Sequence, residues 1–285
     1  MRFLNYPERE PMGALGQACH KHSIRLAEPY LGQGQHHAYG SDAFQGLIVH
    51  PAAQPTGAVL LFFHGGGWTH GYKEWMSMMA GALNQRGITL VTAGYRLAPE
   101  NLFPAGLKDC EAALNWVADR HDDFGGASDR MFVGGHSAGG HYASLLAVGA
   151  RTQGQPAIAG CLPISGVYQF GPGSGLNTRP RFLGPENVNM DRQASPLLAD
   201  LKGAPPFFIS YGERDFPHLK EQALRMADAL RAATVPVDVV ELQDCDHLQA
   251  SYAAAELDGR WIDHADAFMR CTQADGLKRK GSVHG

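Results

Sequence analysis

Short runs rich in β-branched and aromatic residues recur along the chain at 47–49, 59–63, 88–93, 130–135, 161–165, 206–211 and 237–242. Between most of them lie stretches with apolar residues three and four positions apart, at 75–86, 106–119, 138–150 and 219–233, the spacing of one helix face. This alternation predicts an α/β fold with a mostly parallel central sheet and helices on both faces. The run Ala58-Val59-Leu60-Leu61-Phe62-Phe63 is apolar throughout, as a central strand buried on both sides must be. No internal repeat and no Gly/Ser/Pro-rich linker divides the chain, so residues 1–285 are expected to form a single domain. Residues 1–45 lack the strand-helix rhythm and, with the loop 170–200, are expected to form a partial lid over one end of the sheet. Residues 276–285, with Lys278-Arg279-Lys280, read as a flexible tail.

Composition narrows the classes of function. Lys and Arg total 24 against 28 Asp and Glu, a net charge of −4, so no overall field attracts nucleic acid. No apolar stretch approaches the roughly 20 residues of a membrane span, and no targeting segment is visible at the start. The five cysteines, Cys19, Cys110, Cys161, Cys245 and Cys271, are odd in number and never spaced as a metal or redox pair, which fits a reducing cytoplasm and no metal. His36-His37, in a Gln/Gly-rich stretch, reads as an exposed loop. Glycine is unusually frequent, 35 of 285 residues, so tight turns and close backbone approaches are expected.

Two glycine clusters carry chemistry. At Met131-Phe132-Val133-Gly134-Gly135-His136-Ser137-Ala138-Gly139-Gly140 an apolar strand enters a G-x-S-x-G turn and passes directly into a helical pattern. That context is what a nucleophile elbow requires, with glycines where a Cβ would collide and Ser137 held at the tip. A glycine turn with a capping serine would give the same local pattern. The second cluster, His64-Gly65-Gly66-Gly67-Trp68, follows the central apolar strand. Its backbone N–H groups are free of side chains, which suits an oxyanion hole formed by Gly65 and Gly66 with the N–H of Ala138. A phosphate loop is disfavoured because no Gly-Lys dipeptide and no G-x-G-x-x-G occurs in either cluster.

A serine nucleophile of this type calls for an acid and then a histidine, each after a late strand. Gly212-Glu213-Arg214-Asp215 follows one such strand and Gln243-Asp244-Cys245-Asp246-His247 follows the next. Asp215 and His247 are the candidates, with Glu213, Asp244 and Asp246 as rival acids. Asp246 is disfavoured because neighbours on an extended loop point apart. Trp68 and His136 are candidate substrate-binding residues, and Tyr72, Trp75, Phe170 and His141 are further candidates for pocket walls.

Together these residues resemble the α/β-hydrolase superfamily from about Leu47 to Met269. His64-Gly65-Gly66-Gly67-Trp68, Tyr95-Arg96-Leu97-Ala98-Pro99-Glu100, Phe103-Pro104-Ala105 and Ser137-Ala138-Gly139-Gly140 resemble hormone-sensitive-lipase-type carboxylesterases. Those enzymes usually carry aspartate before the nucleophile. Here His136 stands there, as in kynurenine formamidases and related bacterial esterases, which the chain also resembles in Ser165-Gly166-Val167-Tyr168 and Asp246-His247-Leu248. The resemblance implies an α/β-hydrolase fold, acyl transfer to water without a cofactor, a small-molecule ester or formamide substrate, and a homodimer. Two activities share that machinery: hydrolysis of small or medium carboxylic esters, and removal of formyl from an arylformamide such as N-formylkynurenine. A non-catalytic binding protein of the same fold is the reading from another class, and such proteins typically lose a triad member.

Overall fold

A computed structural model describes residues 6–149, 156–176, 179–185 and 189–281, with the side chains of 179 and 273–281 outside the description. Among these residues eight strands form one sheet in the order β1-β2-β4-β3-β5-β6-β7-β8. They are β1 (Gln35–Ala38), β2 (Gly46–His50), β3 (Gly57–Phe63), β4 (Thr89–Ala93), β5 (Gly126–His136), β6 (Gly160–Ile164), β7 (Phe207–Gly212) and β8 (Val237–Leu242). The first two pairings, β1 with β2 and β2 with β4, are antiparallel, and the rest of the sheet is parallel. The helices are α1 (Ala14–Leu31), α2 (Ala80–Gln85), α3 (Ala105–Ala118), α4 (Ala138–Gly149), α5 (Arg179–Phe182), α6 (Pro217–Ala232), α7 (Gln249–Tyr252) and α8 (Arg260–Gly281).

The alternation of side chains along β3 sorts the core into two layers. Val59, Leu61 and Phe63 face a layer with Cys110, Ala113 and Leu114 of α3, Leu146 of α4 and Met226 and Leu230 of α6. Ala58, Leu60 and Phe62 face the opposite layer, with Leu83 of α2 and Trp261, Ile262, Ala265 and Phe268 of α8. The seven expected strands therefore lie in one sheet covered on both faces.

Three segments differ from the sequence reading. His36 and His37 are exposed as expected, yet they belong to edge strand β1, paired with Ile48 and Leu47, and not to a loop. The stretch 75–86 divides into a 3-10 segment, Lys73–Met79, followed by α2. Helix α8 carries the backbone through Gly281, so the expected tail at 276–285 is helical in its first part, and residues 282–285 lie outside the described residues.

The turn after β4 braces the loop after β3. Tyr95 donates its hydroxyl hydrogen to the His64 carbonyl at 2.8 Å, and its ring stacks on the His64 imidazole at 4.3 Å. Next to it, the Arg96 guanidinium meets buried Asp109 of α3 at 2.7 and 2.9 Å, and Asp109 also accepts the Arg96 N–H and the Gln45 amide. Each oxygen of that carboxylate thereby accepts at least two hydrogen bonds. Asp109→Ala leaves the guanidinium and the Arg96 N–H without their partner and is expected to cost about 3 kcal/mol in a urea titration; an unchanged midpoint would contradict the bracing role.

Several histidines are core residues. Burial pushes the pKa of His50, His64 and His141 down to about 4. In the unfolded chain these rings take up protons below about pH 6.5, whereas in the fold they stay neutral until about pH 4. Their contribution to stability is thus complete above pH 6.5 and is lost as the pH falls toward 4, at up to about 1.4 kcal/mol per pH unit for each ring. Melting temperatures measured from pH 8 to pH 4.5 are expected to be level above about 7 and to fall steeply below 6; a level curve across the range would mean that these rings are solvated.

Candidate active site

Sterics dictate the elbow. A Cβ at Gly135 would stand 2.2 Å from the Gly139 carbonyl carbon, and one at Gly139 would stand 2.2 Å from the Phe63 carbonyl oxygen. Only glycine permits β5, α4 and the end of β3 to approach this closely. Between them Ser137 adopts φ +53°, a left-handed conformation that a non-glycine residue holds only when its surroundings enforce it. Its N–H is fixed to the Ile164 carbonyl at 2.9 Å and its carbonyl accepts the His141 N–H at 3.0 Å.

The loops after β7 and β8 bring the other two candidates to this serine. Ser137 donates its hydroxyl hydrogen to His247 Nε2 at 3.0 Å, and His247 Nδ1–H donates to Asp215 Oδ1 at 2.8 Å. The carboxylate acceptor fixes the tautomer, leaving the Nε2 lone pair toward Ser137. Asp215 is 5% exposed, and its Oδ1 also accepts the Phe216 N–H at 2.7 Å. Burial alone would raise the pKa of this carboxyl, but the hydrogen bonds from the His247 ring and the Phe216 N–H hold it below the usual value.

The rival acids are engaged elsewhere. Asp246 Oδ1 accepts the N–H groups of Leu248 and Gln249 at 2.9 and 2.8 Å, where α7 begins. Glu213 accepts the Asp244 N–H at 2.9 Å, and Asp244 faces Arg214. None of the three is hydrogen-bonded to the His247 ring.

Gly65 lies beside the serine, since a Cβ there would be 3.4 Å from Ser137 Cβ. Gly66 has φ +120°, and a Cβ there would meet the His70 carbonyl at 2.1 Å. The loop is pinned from beneath by His64, whose Nδ1–H donates to the Gly65 carbonyl at 2.7 Å. The N–H groups of Gly65 and Gly66 donate to no backbone acceptor among the described residues. Ala138 is the first residue of α4, so its N–H has no acceptor within the helix. These three candidate donors lie on the two loops that meet at Ser137, where the N-terminal end of the α4 dipole is positive.

Ser137 and His247 open into a cavity of about 360 Å³. Its walls are the glycine loop 65–67, Trp75 and His136, with Phe216 and Leu248 from the two late loops and Met12, Leu15 and Cys19 from the N-terminal segment. Among the described residues no Lys, Arg, Asp or Glu lines it. Sequence reasoning missed Met12, Leu15, Cys19, Phe216 and Leu248, which no local pattern marks. Trp68 is turned away from this space: it is 3% exposed, its ring stacks on Phe182 at 4.4 Å and its indole N–H donates to His141 Nδ1 at 3.1 Å. His141 and Phe170 are buried in that same aromatic cluster, so neither they nor Trp68 form a wall of the cavity.

The N-terminal wall is latched by polar contacts. Tyr6 accepts from Lys73 Nζ at 2.5 Å and donates to Glu74 at 3.1 Å, and Lys73 and Glu74 form a buried pair at 2.9 Å. Arg9 donates to the Ala98 carbonyl at 2.7 Å and to Glu100 at 2.8 Å, while His70 Nε2–H donates to the Glu10 carbonyl at 3.1 Å. Helix α1 then runs along the 3-10 segment Lys73–Met79.

Among the described residues no group of three or more His, Cys, Asp or Glu is arranged to hold a metal ion, and no helix is long and apolar enough to cross a membrane.

Known proteins share both the sequence and the architecture. Carboxylesterase NlhH of Mycobacterium tuberculosis is 30% identical over 239 residues, covering 74% of each chain. An acetyl-hydrolase of Streptomyces hygroscopicus is 30% identical over 248 residues, covering 81% of each. A hyperthermophilic esterase from the archaeon Pyrobaculum calidifontis superposes with a TM-score of 0.77 at 22% identity, over 91% of this chain and 93% of that one, a likeness of fold. A family model described as the alpha/beta hydrolase fold matches residues 60–251, which hold the glycine loop, the elbow and both late loops, and the chain belongs to that family.

Proposed function

We propose that this carboxylic ester hydrolase cleaves small or medium uncharged esters through an acyl-enzyme on Ser137, with His247 as general base and acid and Asp215 as its partner. The observation that carries the reading is the unbroken hydrogen-bonded chain Ser137–His247–Asp215, which meets an uncharged cavity beside three backbone donors. Ser137 Oγ attacks the ester carbonyl carbon while His247 Nε2 takes its proton and then delivers it to the departing alkoxide oxygen. A water next attacks the acyl carbon, giving its proton to His247, and the proton returns to Ser137 Oγ as the acid leaves. Asp215 keeps the productive tautomer and stabilises the imidazolium. The N–H groups of Gly65, Gly66 and Ala138 receive the oxyanion, each such donor contributing roughly 3–4 kcal/mol.

The lining separates the ester from the formamide reading. N-formylkynurenine carries an ammonium and a carboxylate, and a cavity walled by Met12, Leu15, Trp75, Phe216 and Leu248 with the imidazoles of His70 and His136, and by no Lys, Arg, Asp or Glu among the described residues, offers neither a fixed counter-charge. An apolar acyl or alkoxy group suits those walls, and the acetyl-hydrolase relative adds weight to a short acyl chain.

Ser137→Ala is expected to lower kcat by at least about 10⁴-fold with no loss of melting temperature, and to abolish labelling by a fluorophosphonate. Most of the activity remaining in a folded variant would overturn the nucleophile. Asp215→Asn is expected to lower kcat by about 10⁴-fold, because the amide can favour the wrong tautomer. On a panel of p-nitrophenyl acetate, butyrate and a succinate monoester with N-formylkynurenine, kcat/KM for the neutral esters is expected to exceed both charged substrates by about 100-fold or more; preference for the formamide would reverse the assignment.

A further inference from the structure

His136 stands at the end of β5, one residue before Ser137, and only 4% of it is exposed. Its Nε2 lies 2.9 Å from the main-chain carbonyl of His247. A carbonyl only accepts, so Nε2 carries the proton and the imidazole donates. Burial pushes the ring's pKa down to about 3, which leaves it neutral, with Nδ1 unprotonated, at ordinary pH. That second nitrogen lies against the glycine loop, since a Cβ at Gly65 would stand 2.8 Å from it. One neutral ring therefore touches the loop that carries the candidate oxyanion donors and the residue that carries the base.

Among the described residues, the other hydrogen bonds of the loop bearing His247 run to its own side of the site. The Cys245 carbonyl accepts the Arg214 N–H at 2.9 Å, the Leu242 carbonyl accepts the Glu213 N–H at 2.9 Å, and Asp246 caps the start of α7. Among the described residues, the His136 bond is the one tie from the backbone of this loop to the elbow, the other link being the reacting pair Ser137 and His247 itself. Asp215 anchors His247 at the far end of its ring, at Nδ1. An imidazole anchored at one nitrogen can still slide with its backbone, and sub-ångström displacement of a base from its nucleophile is costly in rate.

We propose that His136 is a positioning residue for His247, acting through its Nε2–H bond to the His247 carbonyl and not through contact with substrate. The role rests on the acyl-transfer reading of Ser137, His247 and Asp215. It also accounts for the presence of a donor side chain at this buried position, where a carboxylate would set a negative charge against the carbonyl it must hold.

The test compares His136→Met with His136→Gln. Glutamine carries an amide N–H at about the reach of imidazole Nε2, and methionine fills similar space without a donor. His136→Met is expected to lower kcat on p-nitrophenyl butyrate by about 30-fold or more with KM changed less than about twofold, and to slow fluorophosphonate labelling of Ser137 in proportion. His136→Gln is expected to recover kcat to within about threefold of the unmodified enzyme. A raised KM at unchanged kcat would make His136 a substrate contact, and equal losses in folded Met and Gln variants would remove the hydrogen bond as the cause; either overturns the proposal. If the variants do not fold, ¹⁵N-histidine spectra of the unmodified enzyme decide: His136 is expected as the Nε2–H tautomer, unchanged from pH 5 to 8, and an Nδ1–H tautomer overturns the assignment. An active Ser137→Ala variant would fail the acyl-transfer reading, whereas an inactive one beside a fully active His136→Met would fail the positioning role alone.

Discussion

The structure depends on backbone packed against backbone where β5 turns into α4. Gly135 meets Gly139, and Gly139 meets the carbonyl of Phe63 at the end of β3, with no room for a methyl group at either position. That contact sets the separation of two loops from adjacent parallel strands, one holding Gly65 and Gly66 and the other Ser137. A widening by the width of a methyl group would move Gly65 and Ala138 away from any oxygen bonded at Ser137. The left-handed backbone at Ser137 is the strain this packing sustains.

Around that crossing, buried polar groups work by direction. Tyr95 and His64 aim the glycine loop, His247 faces Asp215, and His136 faces the main chain of His247. Each imidazole here has its tautomer set by a neighbour that can only accept, so the donors and lone pairs around the serine are arranged before a substrate enters. Preorganisation of this kind avoids reorientation of dipoles during reaction.

The parts of the fold legible in the sequence were those with strong local patterns. Ala58–Phe63 is continuously apolar because it is central, and the elbow shows itself through glycines that sterics require. The order of Asp215 and His247 follows the order of strands. Helix α1 escaped because it buries only Ser23 and Ala27 and lies over the 3-10 segment, not on the sheet, so its apolar stripe is faint. Strand β1 escaped because all its side chains are exposed. The position of Trp68 after the glycines marks it as a substrate contact, yet the backbone turns at φ +62° and carries the indole into the core against Phe182. The walls of the cavity join Met12 and Leu15 to residues more than fifty positions away, contacts that no local periodicity encodes.

The segment that leads into the wall of Met12, Leu15 and Cys19 is fastened through Tyr6 and Arg9 to Lys73, Glu74, Ala98 and Glu100, and among the described residues the wall shares no hydrogen bond with Ser137, His247 or Asp215. A change at Met12, Leu15 or Cys19 therefore reshapes one side of the cavity without breaking a bond of the Ser137–His247–Asp215 chain.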